Sequence, residues 1–129
     1  MKYIAVIDVG KTNVKVALVN LELFEEQQIV SMPNISVSSG QLLTFNTRQI
    51  WKFICHSLRE LRSNFLIEGI SITTHGAAAV LVMQDGTYLE PLDYEDPTIN
   101  SIADEYSKIR PNFEETGSPH LANGLNIGS

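Results

Sequence analysis

The fold is decided by the stretch Tyr3-Ile4-Ala5-Val6-Ile7-Asp8-Val9-Gly10-Lys11-Thr12-Asn13-Val14-Lys15. An apolar run ends on Asp8, a short polar turn follows, and a second apolar run extends to Val19. This pattern predicts a strand, a tight turn and a returning strand. Such a turn offers backbone N–H groups to a phosphate, and a carboxylate at its mouth can hold Mg²⁺. The alternative is an ordinary hairpin in which Asp8 and Gly10 serve only turn geometry.

Composition limits the classes of protein to consider. The chain has 129 residues, which favours one domain, and a formal net charge of -6, which argues against nucleic-acid and anionic-membrane surfaces. Its one cysteine, Cys55, excludes an intrachain disulfide and fits a reducing compartment. Asp8 and Lys11 interrupt the first apolar stretch too early for a signal peptide, and no window reaches the ~20 apolar residues of a membrane span. We therefore expect a cytoplasmic protein that binds neither nucleic acid nor membranes.

The first half of the chain predicts a meander followed by a helix. Strands are expected at 3–8, 14–20 and 25–32, and short connections favour antiparallel pairing. A polar connection then leads to Asn46, which is placed to cap a helix together with Gln49. The apolar positions of this helix, at spacings of three and four, are Ile50, Ile54, Leu58, Leu61 and Phe65, with Trp51 and Phe53 widening the stripe.

The second half predicts shorter elements. Strands are expected at Gly69–Thr74 and Ala77–Met83, with a hairpin turn at Asp85-Gly86. Asp96 as cap and Pro97 at the first helical position predict a second helix. Its apolar stripe comprises Ile99, Ile102, Tyr106 and Ile109. Residues 110–129 show no periodicity, so we expect a loop that leads into a part of the protein absent from this chain.

Taken together, four stretches resemble the N-terminal part of the FGGY carbohydrate kinases, a family of the actin, hexokinase and heat-shock chaperone ATPase superfamily. They are 4–15, 45–51, 69–76 and 85–96, and their order and spacing both fit. The resemblance implies an α/β, ribonuclease H-like (actin-like ATPase) domain. It would contain a mixed sheet of about five strands, with an antiparallel meander first and helices packed against it. It also implies that residues 1–129 are a truncated N-terminal kinase domain.

The resemblance assigns roles to residues of the first hairpin. Asp8 would lie near the Mg²⁺ and the transferring phosphate. The residues that would face the phosphates are Gly10, Lys11, Thr12, Asn13 and Lys15. Two of them depart from the family pattern: Lys11 occupies a position often held by threonine, and Lys15 one usually held by arginine. The lysine keeps the charge at that second position but lacks the fork geometry of arginine.

The resemblance also assigns a sugar-binding group. His75 and Gly76 would line the sugar pocket, Asp96 would hydrogen-bond sugar hydroxyls, and Tyr94 would supply an aromatic side chain. Each residue also has a purely structural interpretation. Asp96 before Pro97 is a sufficient helix cap, and Gly76 can serve a tight turn alone.

The implied function is ATP- and Mg²⁺-dependent phosphorylation of a sugar or polyol by a longer protein. In the family the catalytic base and the adenine site lie beyond this segment, so the chain alone is expected to be inactive. An exposed apolar face or unpaired sheet edge would favour association, including with a second copy. Two alternatives stay open: a small non-catalytic domain that binds phosphate or a partner, and another ATPase or acyl-phosphate kinase of the same superfamily.

Overall fold

The computed structural model describes residues 2–117, and these form two compact units. The first unit contains the residues up to Ile35 together with Asn46–His75, and the second contains Ser36–Phe45 with the described residues from Gly76 onward. The elements, in chain order, are β1 (Tyr3–Val9), β2 (Asn13–Asn20), β3 (Glu25–Pro33), β4 (Val37–Ser39), β5 (Leu42–Thr44), α1 (Thr47–Asn64), β6 (Ile67–Thr74), a 3₁₀ helix (Pro97–Ile102), α2 (Ala103–Ile109) and α3 (Phe113–Thr116).

The first unit is built on a four-stranded mixed sheet with the order β3-β2-β1-β6. The first three strands form the predicted antiparallel meander, with Ile7 opposite Val16 and Val9 opposite Val14. Strand β6 follows α1 in the chain and pairs with β1 in parallel. The α/β class and the mixed sheet are therefore confirmed, with four strands in this sheet rather than about five.

Helix α1 covers one face of this sheet. Asn46 caps it as predicted, since its side chain accepts a hydrogen bond from the Gln49 N–H at 3.0 Å. Ile54 and Leu61 are buried in a cluster with alternate residues of the first two strands: Ala5, Ile7, Val14, Val16 and Leu18. Trp51 does not join this face, because its side chain is 66% exposed. The sequence predicted that Trp51 widens the apolar stripe, but its side chain lies on the outer side of the helix.

Truncating the buried end of the helical stripe should destabilise the first unit. Leu61 is 1% exposed, so Leu61→Ala removes a filled core position and leaves a cavity. We expect a loss of about 2–5 kcal/mol in the free energy of unfolding, measured by urea denaturation. Leu66→Ala is the matched control, because Leu66 is 75% exposed and its truncation should change stability by less than about 0.5 kcal/mol. Equal losses in both variants would contradict this placement of α1.

The outer strand of the sheet leaves apolar side chains uncovered among the described residues. Strand β6 lies at one edge, and its Ile70 and Ile72 are 57% and 70% exposed. The alternation Ile70-Ser71-Ile72-Thr73 does predict a strand, but here it does not mark a buried face. Residues 2–117 also contain no helix with the length and hydropathy of a membrane span.

The second unit begins with two short strands that sequence reasoning missed. The segment 34–45 was expected to be an irregular polar connection, but Val37–Ser39 and Leu42–Thr44 pair as an antiparallel hairpin. Gly40 makes the turn with a φ of 65°, a conformation that favours glycine. Each strand has only three residues, which is too few to give a recognisable alternation of apolar residues in a polar segment.

The predicted strand Ala77–Met83 does not form a regular strand. A turn does occur at Asp85-Gly86, where the Thr87 N–H donates to the Asp85 carboxylate at 2.9 Å. The flanking residues meet through a single bridge, between Val82 and Tyr88. The turn signal was therefore correct, but the apolar residues just before it are largely exposed and no regular ladder extends from this bridge.

The second helix begins where predicted but differs in form. Asp96 caps it, and Pro97 opens a 3₁₀ segment that continues into α2. The apolar stripe is not a buried face, because Ile102 and Ile109 are 50% and 79% exposed, and the side chain of Ile99 lies outside the described set. Phe113–Thr116 form α3, so the expectation of an element-free stretch from 110 was wrong there; residues 118–129 lie outside the described residues.

Candidate functional site

The turn between β1 and β2 is closed by backbone hydrogen bonding. The Gly10 N–H donates to the Asn13 carbonyl at 2.9 Å. A Cβ placed on Gly10 would lie only 2.9 Å from the same carbonyl oxygen. A side chain therefore does not fit at this position without moving the backbone, which explains why glycine is needed here.

Three carbonyl oxygens at this turn accept hydrogen bonds within the first unit. The Val9 oxygen accepts from the His75 N–H and the Thr74 hydroxyl, each at 3.1 Å. The Gly10 and Thr12 oxygens accept from the side chain and the backbone of Asn34, at 2.8 and 2.9 Å. Because these acceptors are engaged, less negative potential is directed at an anion that approaches the turn.

Asp8 lies at the carboxyl end of β1 with its side chain on the sheet face opposite the α1 core. It is paired in register with Lys15 of β2 and Thr73 of β6. Among residues 2–117, neither the Asp8 carboxylate nor the Lys15 amine has a hydrogen-bond or ion-pair partner. All three side chains line a cavity of about 330 Å³. An unengaged carboxylate and an unengaged amine thus face the same open space.

This group of residues fits a magnesium–phosphate ligand better than an all-protein metal site. Residues 2–117 contain no cluster of three or more His, Cys, Asp or Glu side chains placed to hold a metal ion. Mg²⁺ commonly needs only one or two carboxylates and takes its other oxygens from phosphates and water. Asp8 can supply the carboxylate, while the turn and Lys15 supply hydrogen-bond donors and positive charge.

The structure places His75, a candidate sugar-binding residue, next to the β1–β2 turn. Its N–H donates to the Val9 carbonyl, which places the end of β6 beside the end of β1. Parallel pairing produces this juxtaposition, since both strands then end at the same edge of the sheet. Gly76 follows in the chain, where an added Cβ would meet no atom within 4 Å.

In the second unit, Asp96 is buried and accepts three hydrogen bonds from residues of that unit. One carboxylate oxygen accepts from the Thr98 N–H at 2.7 Å and also from the Thr98 hydroxyl, and the other accepts from the Leu43 N–H. The side chain is 3% exposed. These contacts show that Asp96 joins the β4–β5 hairpin to the start of the 3₁₀ helix, the structural role that sequence allowed.

The Thr98 hydroxyl, with the Leu43 and Thr98 N–H groups, lowers the pKa of Asp96 below the ordinary aspartate value, against an opposing effect of burial. A lowered folded-state pKa means that the unfolded state binds the proton more readily. This stabilisation is therefore present above the ordinary aspartate pKa and is lost as pH falls below about 4.

We expect Asp96→Asn to reduce the acid sensitivity of the second unit, measured by urea unfolding and circular dichroism across acid pH. Glu95→Gln, at an exposed neighbouring position, removes the same charge while keeping the three hydrogen bonds of Asp96, and it is the matched control. An Asp96→Asn profile parallel to the wild type would contradict the role of these hydrogen bonds.

Tyr94 lies beside this buried carboxylate. Its ring packs against Phe45 with a centroid distance of 6.2 Å, and it lines a largely apolar cavity of about 380 Å³ with Leu42, Ala77, Leu89 and Pro91 among others. The neighbouring Asp93 is buried and accepts from the Ser36 hydroxyl and from the Glu95 N–H. Tyr94 is thus held between two buried, hydrogen-bonded aspartates.

Several solved structures of kinases match the fold of this chain. A carbohydrate kinase from Novosphingobium aromaticivorans matches with 31% identity and a TM-score of 0.84, over 96% of this chain and 27% of that one. The chain is a relative of the carbohydrate kinases. A xylulose kinase from Rhodospirillum rubrum matches with 21% identity and a TM-score of 0.70, over 91% of this chain and 25% of that one. Glycerol kinase from Plasmodium falciparum, solved with ADP, matches with 15% identity and a TM-score of 0.70, over 96% of this chain and 27% of that one.

These carbohydrate-kinase relatives confirm the resemblance and the actin-like fold that it implied. This chain spans only about a quarter of their length, at 27% and 25% of the first and second. No protein-family model and no curated protein sequence matches the chain.

Sequence reasoning missed two buried polar residues near the candidate residues, Asn34 and Asp93. Asn34 follows a strand-ending proline in a polar segment, and no motif marks it. Its role is visible only when the β2–β3 register brings it opposite Thr12. Asp93 offered a weak signal as an acidic residue close to Asp96, but nothing in sequence indicated its burial.

Proposed function

We propose that the protein to which this chain belongs transfers the γ-phosphate of ATP to a hydroxyl of a sugar or polyol. The observation that carries the proposal is the β1–β2 turn. Its Gly10 and Thr12 carbonyls accept hydrogen bonds from Asn34, and the unengaged Asp8 carboxylate lies beside it. The carbohydrate-kinase relatives support it, among them one solved with ADP. We place the reaction in the cytoplasm, where a free thiol such as Cys55 persists.

In this proposal the first unit binds the phosphates. The residues that surround the phosphate oxygens are Gly10, Lys11, Thr12 and Asn13, which we call the phosphate turn. Lys15 of β2 contributes a positive charge. Asp8 holds the magnesium ion that accompanies the nucleotide. Bound Mg²⁺ would neutralise charge on the phosphates.

The resemblance assigns contacts with the sugar or polyol to His75 in the first unit and, separately, to Gly76 and Tyr94 in the second, and we retain these assignments as proposals. His75 is attached to the end of β1, so a hydroxyl bound near it would be close to the phosphate turn. Asp96 contributes by fixing the loop that presents Tyr94, since its carboxylate oxygens already accept three hydrogen bonds. Direct contact between Asp96 and a sugar hydroxyl stays a proposal from the resemblance. No residue of this chain is assigned as the base that accepts the hydroxyl proton.

The proposal is tested by measuring ADP release from Mg·ATP by the protein at its native length across a panel of sugars and polyols. We expect one substrate class to stimulate ADP release. With that substrate, Tyr94→Ala should raise the sugar KM several-fold and leave the ATP KM unchanged, because Tyr94 is proposed to contact the sugar and is not among the residues proposed to bind the phosphates. Tyr88→Ala, in the exposed hairpin, is the matched control and should change neither constant. Absence of stimulation by every sugar and polyol would contradict the proposal.

A further inference from the structure

Asn34 makes two hydrogen bonds to the turn that the proposed function assigns to phosphate binding. Its backbone N–H donates to the Thr12 carbonyl at 2.9 Å, and its side-chain Nδ2 donates to the Gly10 carbonyl at 2.8 Å. The first bond extends the β2–β3 ladder one residue beyond the Asn13–Pro33 pair. The second comes from a side chain that is only 7% exposed. One residue thus determines where two carbonyls of the turn point.

Because the peptide bond is planar, the direction of each carbonyl also fixes the direction of the following N–H group. The described residues contain no cis peptide bonds, and in a trans peptide the C=O and the following N–H point in opposite directions. When the Gly10 oxygen points to Asn34, the Lys11 N–H points away from it. When the Thr12 oxygen points to Asn34, the Asn13 N–H also points away. Two donors of the turn are therefore oriented by one residue outside it.

A second observation indicates that Asn34 is not explained by stability alone. Its Oδ1 is buried and has no hydrogen-bond partner among the described residues. A buried acceptor without a donor is unfavourable, so this side chain is a poor choice for stability. Its amide is nevertheless well suited to its position, because a neutral NH₂ group can bond a carbonyl where a carboxylate would be repelled.

We propose that Asn34 is a positioning residue for phosphate binding, which orients the N–H groups of Lys11 and Asn13 by holding the carbonyls of Gly10 and Thr12. This inference rests on the proposed function for the identity of the ligand. Asn34 contacts no phosphate itself and acts through the turn. Removing its side-chain donor frees the Gly10 carbonyl, which can then rotate toward the phosphate side and repel the anion.

The chain offers a matched control in Asn20, at the opposite end of β2. Asn20 is also a buried asparagine, and its Oδ1 accepts from the Glu22 and Leu23 N–H groups at 2.9 and 3.3 Å in the β2–β3 turn. N20A therefore removes a buried asparagine bonded to a turn of the same sheet, but not the contact with the phosphate turn. A general loss of stability would affect N20A and N34A alike.

The test measures Mg·ADP affinity and amide hydrogen exchange in the wild type, N34A, N34D and N20A, using the protein at its native length. We expect the dissociation constant for Mg·ADP to rise about ten-fold in N34A and N34D and to stay within about two-fold of wild type in N20A. Without ligand, the Gly10 amide should exchange faster in N34A and not in N20A. N34D keeps the size of the side chain and serves if N34A fails to fold.

The outcomes separate this inference from the proposed function. If the wild type does not bind Mg·ADP, the proposed function is wrong and the phosphate role of Asn34 falls with it. If the wild type binds and N34A binds equally well, only the inference is overturned. Equal losses of affinity in N20A and N34A would also overturn it, because they would show a general effect on stability.

Discussion

Replacing Asp8 by asparagine is expected to lower kcat/KM for ATP-dependent phosphorylation by about 10³-fold, in the range found when one charge-stabilising group is removed from an active site. The carboxylate has no partner among the described residues and faces the cavity shared with Lys15, so its charge is available to Mg²⁺. For the same reason, the substitution breaks no internal contact. The free energy of unfolding should change by less than about 0.5 kcal/mol.

The matched control for Asp8 is Glu26→Gln. Glu26 lines the same cavity from β3 and carries the same charge, but it lies at the far end of the strand from the phosphate turn. Its activity should stay within a few-fold of wild type. An Asp8→Asn protein that retains wild-type activity, or an equal loss in Glu26→Gln, would contradict the assignment of the metal–phosphate site.

Replacing Gly10 by alanine is expected to affect stability and nucleotide binding together. The added Cβ would lie 2.9 Å from the Asn13 carbonyl oxygen, a contact that only a backbone shift can relieve. We expect a loss of about 1–3 kcal/mol in the free energy of unfolding. The affinity for Mg·ADP should fall about ten-fold or more, because the same shift moves the N–H donors of the turn.

Gly69→Ala is the control for Gly10→Ala. Its Cβ would meet Ile4 Cγ2 at 3.6 Å, which is ordinary van der Waals contact. This variant should unfold within about 1 kcal/mol of wild type and bind Mg·ADP normally. Normal binding by Gly10→Ala would show that the turn does not hold the phosphates in the conformation described.

Local patterns predicted the strands and the helix of the first unit. Alternating apolar residues, a turn at Gly10–Asn13 and the cap at Asn46 each fix structure over a few residues, and together they predicted the meander and α1. The same local logic failed for Trp51, which lies beside the apolar stripe in the helical projection but faces outward. Which side of a helix meets a sheet depends on long-range pairing that a window of sequence does not contain.

The second unit was harder to predict because its structure depends on contacts between distant residues. The β4–β5 hairpin is joined to the 3₁₀ helix by Asp96, which accepts the Leu43 N–H across more than fifty positions of sequence. Sequence identified Asp96 as a cap and as a candidate sugar ligand, and its three internal hydrogen bonds favour the first role without testing the second. Asn34 was missed for a related reason, since its function arises from strand register.

Magnesium-dependent amide shifts of the β1–β2 turn are the most direct test of whether this turn binds the phosphates of ADP. The measurement follows the ¹⁵N–¹H signals of Gly10 and Asn13 in the protein at its native length as Mg·ADP is added, and again with ADP alone. We expect both signals to shift with Mg·ADP and the shifts to weaken without Mg²⁺. Asp8→Asn should remove the difference between the two titrations. Tight binding of Mg·ADP that leaves both signals unmoved would contradict the assignment of this turn as the phosphate site.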